Sequence, residues 1–310
     1  MTADDIVAIC NRVYGSQARV TSAVELGGGM YNNTYRLVVA GQPQPVVLRV
    51  APEPERQFSS ERTLMRNEYA SIPYLAALAV LMPSVIAADW SHEVIGRDYM
   101  LQTLVEGVPA PEQLGTYPRS NWPGFFGQMG TITRMVHQVR GPRFGPVIGL
   151  AYATWSMALI ASLETIAADL EGVGLDAADV RTAAALATTR RAILDEIREP
   201  RLLTGDLWTA NVMLDATAPE PTVSGVLDMD RTWWGDPAAD WTIRMALAKN
   251  DERTAFWTPT VSTRRPHQQP GEHGSTRHAT SAPSGSNATA LATPKASPTP
   301  TTPWPPYSRA

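Results

Sequence analysis

The spacing of apolar residues changes character near residue 107, and this change constrains the fold more than any other feature of the 310-residue chain. Over residues 20–50 the apolar positions alternate as in strands, with a break at Gly41. Over residues 125–139 and the Ala-rich stretch 152–197 the apolar spacing and the helix propensity are those of helices. A small sheet followed by a larger helical body predicts an α+β fold in two lobes.

Four further segments add to the predicted secondary structure. Helical spacing predicts a helix over residues 1–14 and a second over residues 61–78, which Pro73 should kink or end. Two more strands are expected at residues 83–86 and 99–104. The N-terminal part of the chain is therefore expected to combine an antiparallel sheet with helices.

These patterns divide the chain into an N-terminal lobe at residues 1–103, a C-terminal lobe at residues 104–257 and a tail at residues 258–310. The tail is rich in Pro, Thr and Ser and has one acidic residue, Glu272. Such a segment buries too little apolar surface to offset its ordering entropy, so disorder is expected. Two hypotheses for the tail stay open: a frame shift near Trp257 that replaced further helices, and a natural extension.

The composition favours a folded protein that acts on small molecules. Hydrophobic residues make up 44% of the chain, which is ample for a core, and 26 Lys and Arg stand against 30 Asp and Glu. That balance predicts no nucleic-acid surface and no polybasic membrane signal, and no stretch reaches the roughly 18 apolar residues of a membrane span. The single cysteine, Cys10, excludes an intramolecular disulfide and a zinc cluster, and we expect a cytoplasmic protein.

Three polar residues within residues 203–228 have a spacing that suits phosphoryl transfer. This reaction needs an acceptor hydroxyl held in place and a phosphate charge neutralised by metal. Asp206 is followed five residues later by Asn211, so a base can open a loop whose far end supplies an amide oxygen to the metal. Asp228 ends a short predicted strand, where its carboxylate offers the hard oxygen that magnesium prefers.

This block, together with the Gly-Asp-Pro-Ala-Ala-Asp element that ends at Asp240, resembles the aminoglycoside phosphotransferase and choline kinase superfamily over about residues 20–241. The resemblance implies a protein-kinase-like fold with a small antiparallel-sheet N-lobe and a mainly helical C-lobe. It implies an enzyme that moves the γ-phosphate of ATP to a hydroxyl of a small-molecule acceptor with the help of magnesium. In that reaction Asp206 would be the catalytic base, and Asn211 and Asp228 would bind magnesium. Asp240 would support the loop.

The resemblance extends to nucleotide-binding positions in the N-terminal lobe. Three glycines between two predicted strands let backbone N–H groups approach phosphates, although such glycines are also typical of a plain turn. Arg49 stands where the family has a lysine and keeps the charge; Glu68 is its expected partner, with Glu61 the second choice and an exposed Glu68 the alternative. A hinge strand would bond adenine through its backbone. The implied nucleotide-binding residues are Gly27, Gly28, Gly29, Asn33, Arg49, Glu68, Gln102, Thr103 and Leu104.

Departures from the family pattern leave a second function open. Thr204 stands where the family usually has a histidine, so loop order is expected to suffer while the chemistry stays possible. The expected acceptor is an aminoglycoside-like antibiotic, which would imply antibiotic resistance, or a related sugar amine. The alternative is a catalytically impaired nucleotide-binding protein, motivated by Thr204, Arg49 and the altered C-terminus. A protein kinase is disfavoured because the interval from Asp228 to Gly235 is too short for an activation segment.

Overall fold

The computed structural model describes residues 1–27, 31–240 and 248–258, and the elements in these segments follow the predicted change from sheet to helix. Met1–Val261 belong to one compact unit. Apart from Thr258, the tail predicted to be disordered lies outside the described residues. The predicted α+β fold in two lobes is confirmed.

An antiparallel sheet forms the N-terminal lobe. Its strands are β1 (Val20–Glu25), β2 (Asn33–Val39), β3 (Val46–Val50), β4 (Val85–Asp89) and β5 (Tyr99–Thr103). Their order in the sheet is β1-β2-β3-β5-β4, and every neighbouring pair is antiparallel. β2, β3 and β5 are rich in Val, Leu and Tyr, whose side chains pack well on a pleated surface, and these strands occupy the centre of the sheet.

The two faces of this sheet pack against different helices, because side chains alternate between the faces along each strand. On one face, Tyr35, Leu48 and Leu101 form a core with helix α1 (Ala3–Tyr14). Ile9 of that helix is fully buried in the same core. This face is therefore closed by α1.

The opposite face carries the residues that matter for the candidate site. Met100 packs there with Met65 of helix α2 (Leu64–Ser71). Arg49 lies directly opposite Met100 in the pairing of β3 with β5, and directly opposed residues share a face. Arg49 therefore points away from α1 and towards the side of α2.

The helix predicted over residues 61–78 is broken at its proline, as expected. α2 gives way to a 3-10 segment, Ile72–Leu78. Pro73 has no N–H to donate, which interrupts the α-helical bonding pattern. The 3-10 segment carries Leu75 and Leu78 into the core of the C-terminal lobe.

Helices dominate the C-terminal lobe. They are α3 (Ala110–Gln113), α4 (Trp122–His137), α5 (Trp155–Gly172), α6 (Ala178–Thr189), α7 (Arg191–Leu194) and α8 (Asn250–Trp257). Phe125, Met129 and Ile132 of α4 face the core at the three- and four-residue spacing of a buried helical stripe, and Phe256 of α8 joins them. No described helix has the length and the apolar composition to cross a membrane.

Short strands in the same lobe lead into the candidate site. They are β6 (Val108–Pro109), β7 (Gly145–Pro146), β8 (Arg201–Leu203), β9 (Val212–Leu214), β10 (Val223–Val226) and β11 (Trp233–Gly235). They pair in two three-stranded sheets, ordered β10-β9-β6 and β7-β11-β8. Asp206 lies just after β8, and Asp228 lies just after β10.

Candidate active site

The loop that follows β8 depends on a glycine. Gly205 has a φ of +74°, in the left-handed region that residues with a Cβ rarely adopt. A Cβ at this position would lie 2.9 Å from the Cβ of Arg231 and closer still to the carbonyl carbon and oxygen of that residue. The loop therefore lies in backbone contact with the segment that follows Asp228, and this contact sets the position of Asp206.

Asp240 holds the start of the same loop. Its side chain is fully buried, and its Oδ2 and Oδ1 accept hydrogen bonds from the backbone N–H groups of Thr204 at 2.6 Å and of Gly205 at 2.7 Å. His137, the last residue of α4, places its Nε2 2.9 Å from Oδ2 of the same carboxylate. This geometry agrees with the expected support of the loop by Asp240. It also brings an imidazole to the loop from α4 rather than from position 204.

Asp206 and Asn211 meet across the loop. Nδ2 of Asn211 donates to the backbone O of Asp206 at 2.9 Å and lies 3.4 Å from Oδ2 of the same residue. The backbone O of Asn211 accepts a hydrogen bond from the N–H of Leu227 at 2.9 Å, which ties the end of the loop to the residue before Asp228. Because Nδ2 faces Asp206, Oδ1 is the atom of Asn211 that could meet a metal.

Arg49 contacts two carboxylates, Glu68 in its own lobe and Asp228 in the C-terminal lobe. Its Nη1 lies 2.5 Å from Oε2 of Glu68, and its Nη2 lies 2.5 Å from Oδ1 of Asp228. The side chains of Arg49 and Glu68 are each 5% exposed, whereas that of Asp228 is 41% exposed. Glu68 is thus buried against Arg49, while Glu61 lies 3.6 Å from Arg231. The contact with Asp228 was not anticipated from the sequence.

The groups in this network shift one another's pKa values. Burial acts to lower the pKa of Arg49, but the charges of Glu68 and Asp228 outweigh it, so its pKa is raised and the guanidinium stays charged. Burial raises the pKa of Glu68, and the charge of Arg49 opposes this only in part. Burial also raises the pKa of Asp230 to about 7, with the negative charges of Glu68 and Asp228 acting in the same direction. Asp230 therefore titrates near neutral pH.

The backbone after Asp228 turns sharply and is fastened to α2. Asp228 has φ 56° and ψ 52°, a left-handed conformation that aspartate tolerates better than most residues. Asn67, which is buried on α2, donates from Nδ2 to the backbone O atoms of Asp230 at 2.8 Å and Thr232 at 3.0 Å. Sequence reasoning missed Asn67. The available signal was an amide side chain next to Glu68 inside a helix.

The predicted glycine-rich loop is described only in part. Gly27 follows β1 and is exposed, while Gly28 and Gly29 lie outside the described residues. Between the loop and β2, the hydroxyl of Tyr31 donates to the backbone O of Glu61 at 2.8 Å. The described end of the loop therefore contacts the segment that precedes α2.

At the predicted hinge, one backbone donor is already in use. The N–H of Thr103 donates to the backbone O of Ser84 at 2.9 Å, and Oγ1 of Thr103 accepts from the N–H of Ser84 at 2.9 Å. Gln102 is buried, and Leu104 is partly exposed just beyond β5. Bonds to adenine would therefore fall to backbone groups other than this N–H. Asn33 is the first residue of β2, in the same lobe.

Many solved structures resemble the chain in fold, among them two aminoglycoside phosphotransferases and a candidate fructosamine-3-kinase. A thermostable mutant of the aminoglycoside phosphotransferase APH(4)-Ia, in a ternary complex with AMP-PNP and hygromycin B, is 19% identical with a TM-score of 0.53 over 77% of this chain and 75% of that one. A mutant of aminoglycoside 2′-phosphotransferase-IIIa in complex with GDP is 15% identical with a TM-score of 0.54 over 83% and 82%. A candidate fructosamine-3-kinase from Haemophilus somnus is 15% identical with a TM-score of 0.52 over 83% of each chain.

The sequence itself carries the family assignment. Among curated proteins, none matches the chain. The model of the phosphotransferase enzyme family, APH, matches residues 22–259. Because that match covers well over half of the sequence, the chain belongs to the phosphotransferase enzyme family.

Proposed function

We propose that this phosphotransferase moves the γ-phosphate of ATP to a hydroxyl group of a small molecule, with Asp206 as the base and magnesium held by Asn211 and Asp228. The observation that carries the proposal is the contact of Arg49 with both Glu68 and Asp228 at 2.5 Å. This contact joins the sheet of the N-terminal lobe to the loops of the C-terminal lobe. A phosphate-pairing cation and the proposed metal ligands therefore lie in one network.

Asp206 would accept the proton of the acceptor hydroxyl. The acceptor oxygen then forms a bond to the γ-phosphorus, the bond from that phosphorus to the bridging oxygen of ATP breaks, and ADP leaves. Such a base must be held in place, and two sets of hydrogen bonds hold the loop that carries Asp206. Nδ2 of Asn211 bonds the backbone O of Asp206, and the carboxylate of Asp240 bonds the two N–H groups that precede it.

The residues proposed to hold magnesium fit that ion. A carboxylate from Asp228 and an amide oxygen from Asn211 are the hard donors that magnesium prefers. Magnesium would take its other ligands from phosphate oxygens and water. When bound, magnesium would neutralise charge on the transferred phosphate. Asp228 is 41% exposed, so a ligand can reach it.

Arg49 would bind the phosphates of the nucleotide. A guanidinium can bond phosphate oxygens through its N–H groups, and Glu68 holds that of Arg49 in place through Nη1. The second bond of Arg49, to Oδ1 of Asp228, occupies one of the two carboxylate oxygens that could bind the metal. We therefore expect Arg49 to exchange Asp228 for phosphate when nucleotide binds.

The same contact favours a second candidate function, an impaired protein that binds nucleotide without transferring phosphate. If Arg49 kept its bond to Oδ1 in the presence of nucleotide, Asp228 would offer the metal only Oδ2, and its negative charge would be shared with the guanidinium, which would weaken metal binding. Asp206 and Asn211 would then remain in contact without turnover. Nucleotide binding and phosphate transfer must be measured separately to decide between the two functions.

The proposal also covers the acceptor, the cellular location and the boundary between the lobes. We infer an aminoglycoside-like antibiotic or a related sugar amine, because similar folds occur in a structure that contains hygromycin B and in a candidate fructosamine-3-kinase. An antibiotic acceptor would make the protein a cytoplasmic resistance enzyme. The boundary between the lobes would lie between residues 103 and 104, directly after β5.

The test is phosphate transfer from ATP with magnesium to a panel of aminoglycosides, sugar amines, choline and macrolides. We expect product with the full chain and none with Asp206→Asn. The matched control is Asp179→Asn, the same change at an exposed position of α6, and it should leave turnover unchanged. ATP binding without product on any acceptor would favour the impaired function. Unchanged turnover in Asp206→Asn would refute the assigned base.

A further inference from the structure

Gln102 carries a buried hydrogen-bonding atom whose role the proposed chemistry does not explain. The residue is 5% exposed, and among the described residues its Oε1 has no hydrogen-bond partner. A buried amide oxygen without a partner costs about 1–3 kcal/mol, so native structures seldom keep one without a reason. A ligand that donates a hydrogen bond would remove this cost.

The position of Gln102 in the sheet shows which side its carboxamide occupies. Val47 lies directly opposite Gln102, and Arg49 lies directly opposite Met100, in the pairing of β3 with β5. Gln102 and Met100 are two residues apart on one strand, so Gln102 shares a sheet face with Arg49. Leu101, between them, belongs to the opposite face.

That shared face is the one from which the sheet contacts the C-terminal lobe. From it, Arg49 reaches Asp228 at 2.5 Å, and Asp228 belongs to the C-terminal lobe. The other face is closed by α1, which packs on Leu101 and Leu48. The side chain of Gln102, with its unpartnered oxygen, therefore lies on the same side of the sheet as Arg49, two residues along β5 from Met100.

We propose that the side chain of Gln102 reads the purine base of the nucleotide, with Oε1 accepting a hydrogen bond from the amino group at C6 of adenine. This inference rests on the proposed nucleotide-binding function and adds base selectivity to it. Adenine carries a donor at C6, which satisfies the buried acceptor. Guanine carries an oxygen at C6, which would place two acceptors against each other and leave both without a partner. The protein should therefore prefer ATP to GTP.

The oxygen and nitrogen ends of the carboxamide would favour different purines, so the proposal predicts which one is preferred. Turned end for end, the same group would present Nε2 and would favour the C6 oxygen of guanine. A preference for GTP in the wild-type chain would therefore overturn the proposal rather than modify it.

The experiment measures dissociation constants of ATP, GTP and purine riboside triphosphate, which has hydrogen at C6, by displacement of a fluorescent nucleotide from the full chain. Gln102→Met keeps a long unbranched side chain and removes the amide. Gln42→Met is the control, because it makes the same change at an exposed turn of the same lobe. The compared quantity is the ratio of the affinity for ATP to the affinity for the C6-hydrogen analogue.

We expect ATP to bind wild type about tenfold more tightly than the analogue, which is the effect of one hydrogen bond to a buried acceptor. The ratio should fall to about one in Gln102→Met and stay at about ten in Gln42→Met. Equal affinities in wild type overturn the proposal without any variant, and so does a ratio that Gln102→Met leaves unchanged. If wild type binds no nucleotide at all, the proposed function fails and this inference fails with it. Nucleotide binding without base selectivity refutes the inference alone.

Discussion

Replacing Gly205 by alanine tests whether backbone contact between two loops sets the position of the proposed base. Two penalties add at this residue. A left-handed φ of +74° costs a residue with a Cβ about 1–2 kcal/mol. The Cβ would also overlap the carbonyl group of Arg231 and lie 2.9 Å from its Cβ, and relieving such overpacking costs about 1–3 kcal/mol more. We expect Gly205→Ala to lower the free energy of unfolding by about 2–5 kcal/mol.

Gly174 supplies a matched control. Its φ is +76°, nearly that of Gly205, but a Cβ there would meet no heavy atom within 4 Å. Gly174→Ala should therefore lower the free energy of unfolding only by the cost of the left-handed backbone, about 1–2 kcal/mol. The difference between the two variants isolates the contact with Arg231.

Urea unfolding followed by tryptophan fluorescence measures both variants, since the chain has 9 tryptophans. Phosphate transfer supplies a second readout, because the loop must shift to admit the Cβ and Asp206 is the next residue. A displacement near 1 Å lowers turnover by about 100-fold, whereas Gly174→Ala should leave turnover unchanged. Equal loss of stability in the two variants, with equal turnover, would refute the reasoning.

Three further perturbations address the ion-pair network and the loop. Glu68→Gln removes the charged partner of Nη1 of Arg49 but leaves the contact of Arg49 with Asp228, so it should lower the free energy of unfolding by about 1.5 kcal/mol; an unchanged urea midpoint would contradict a stabilising role. Asp230 has a folded pKa of about 7, raised above its unfolded value, so its stabilising contribution is complete below about pH 4 and is lost as pH rises through 7. In metal-free buffer, the free energy of unfolding of Asp230→Asn relative to wild type should therefore rise by about 2.6 kcal/mol between pH 5 and pH 8, and an equal difference at both pH values by thermal unfolding would count against the raised pKa. Asp240→Asn leaves one acceptor for the two backbone N–H groups that the carboxylate binds, and should lower turnover by about 100-fold with little change in nucleotide affinity; a variant that loses nucleotide affinity instead would place the role of Asp240 elsewhere.

The sequence by itself determined the elements and the local spacing of the candidate site. Alternation of apolar residues predicts β2 and β3, and Pro73 predicts the end of α2. Both features can be predicted because they depend only on residues that are close together in the sequence. Asp206 and Asn211 are five residues apart, so their contact within one loop also follows from local chain geometry.

Only the tertiary structure decided which distant residues meet. Arg49 and Asp228 are 179 residues apart in the sequence, and their contact depends on how the sheet packs against the loops of the other lobe. The burial of Gln102 without a partner for Oε1 likewise appears only once the sheet is packed. Periodicity shows which face of an element is apolar, but not which element will cover that face. Contacts that form across a packed interior, which carry most of the candidate site, therefore lie beyond what spacing alone can predict.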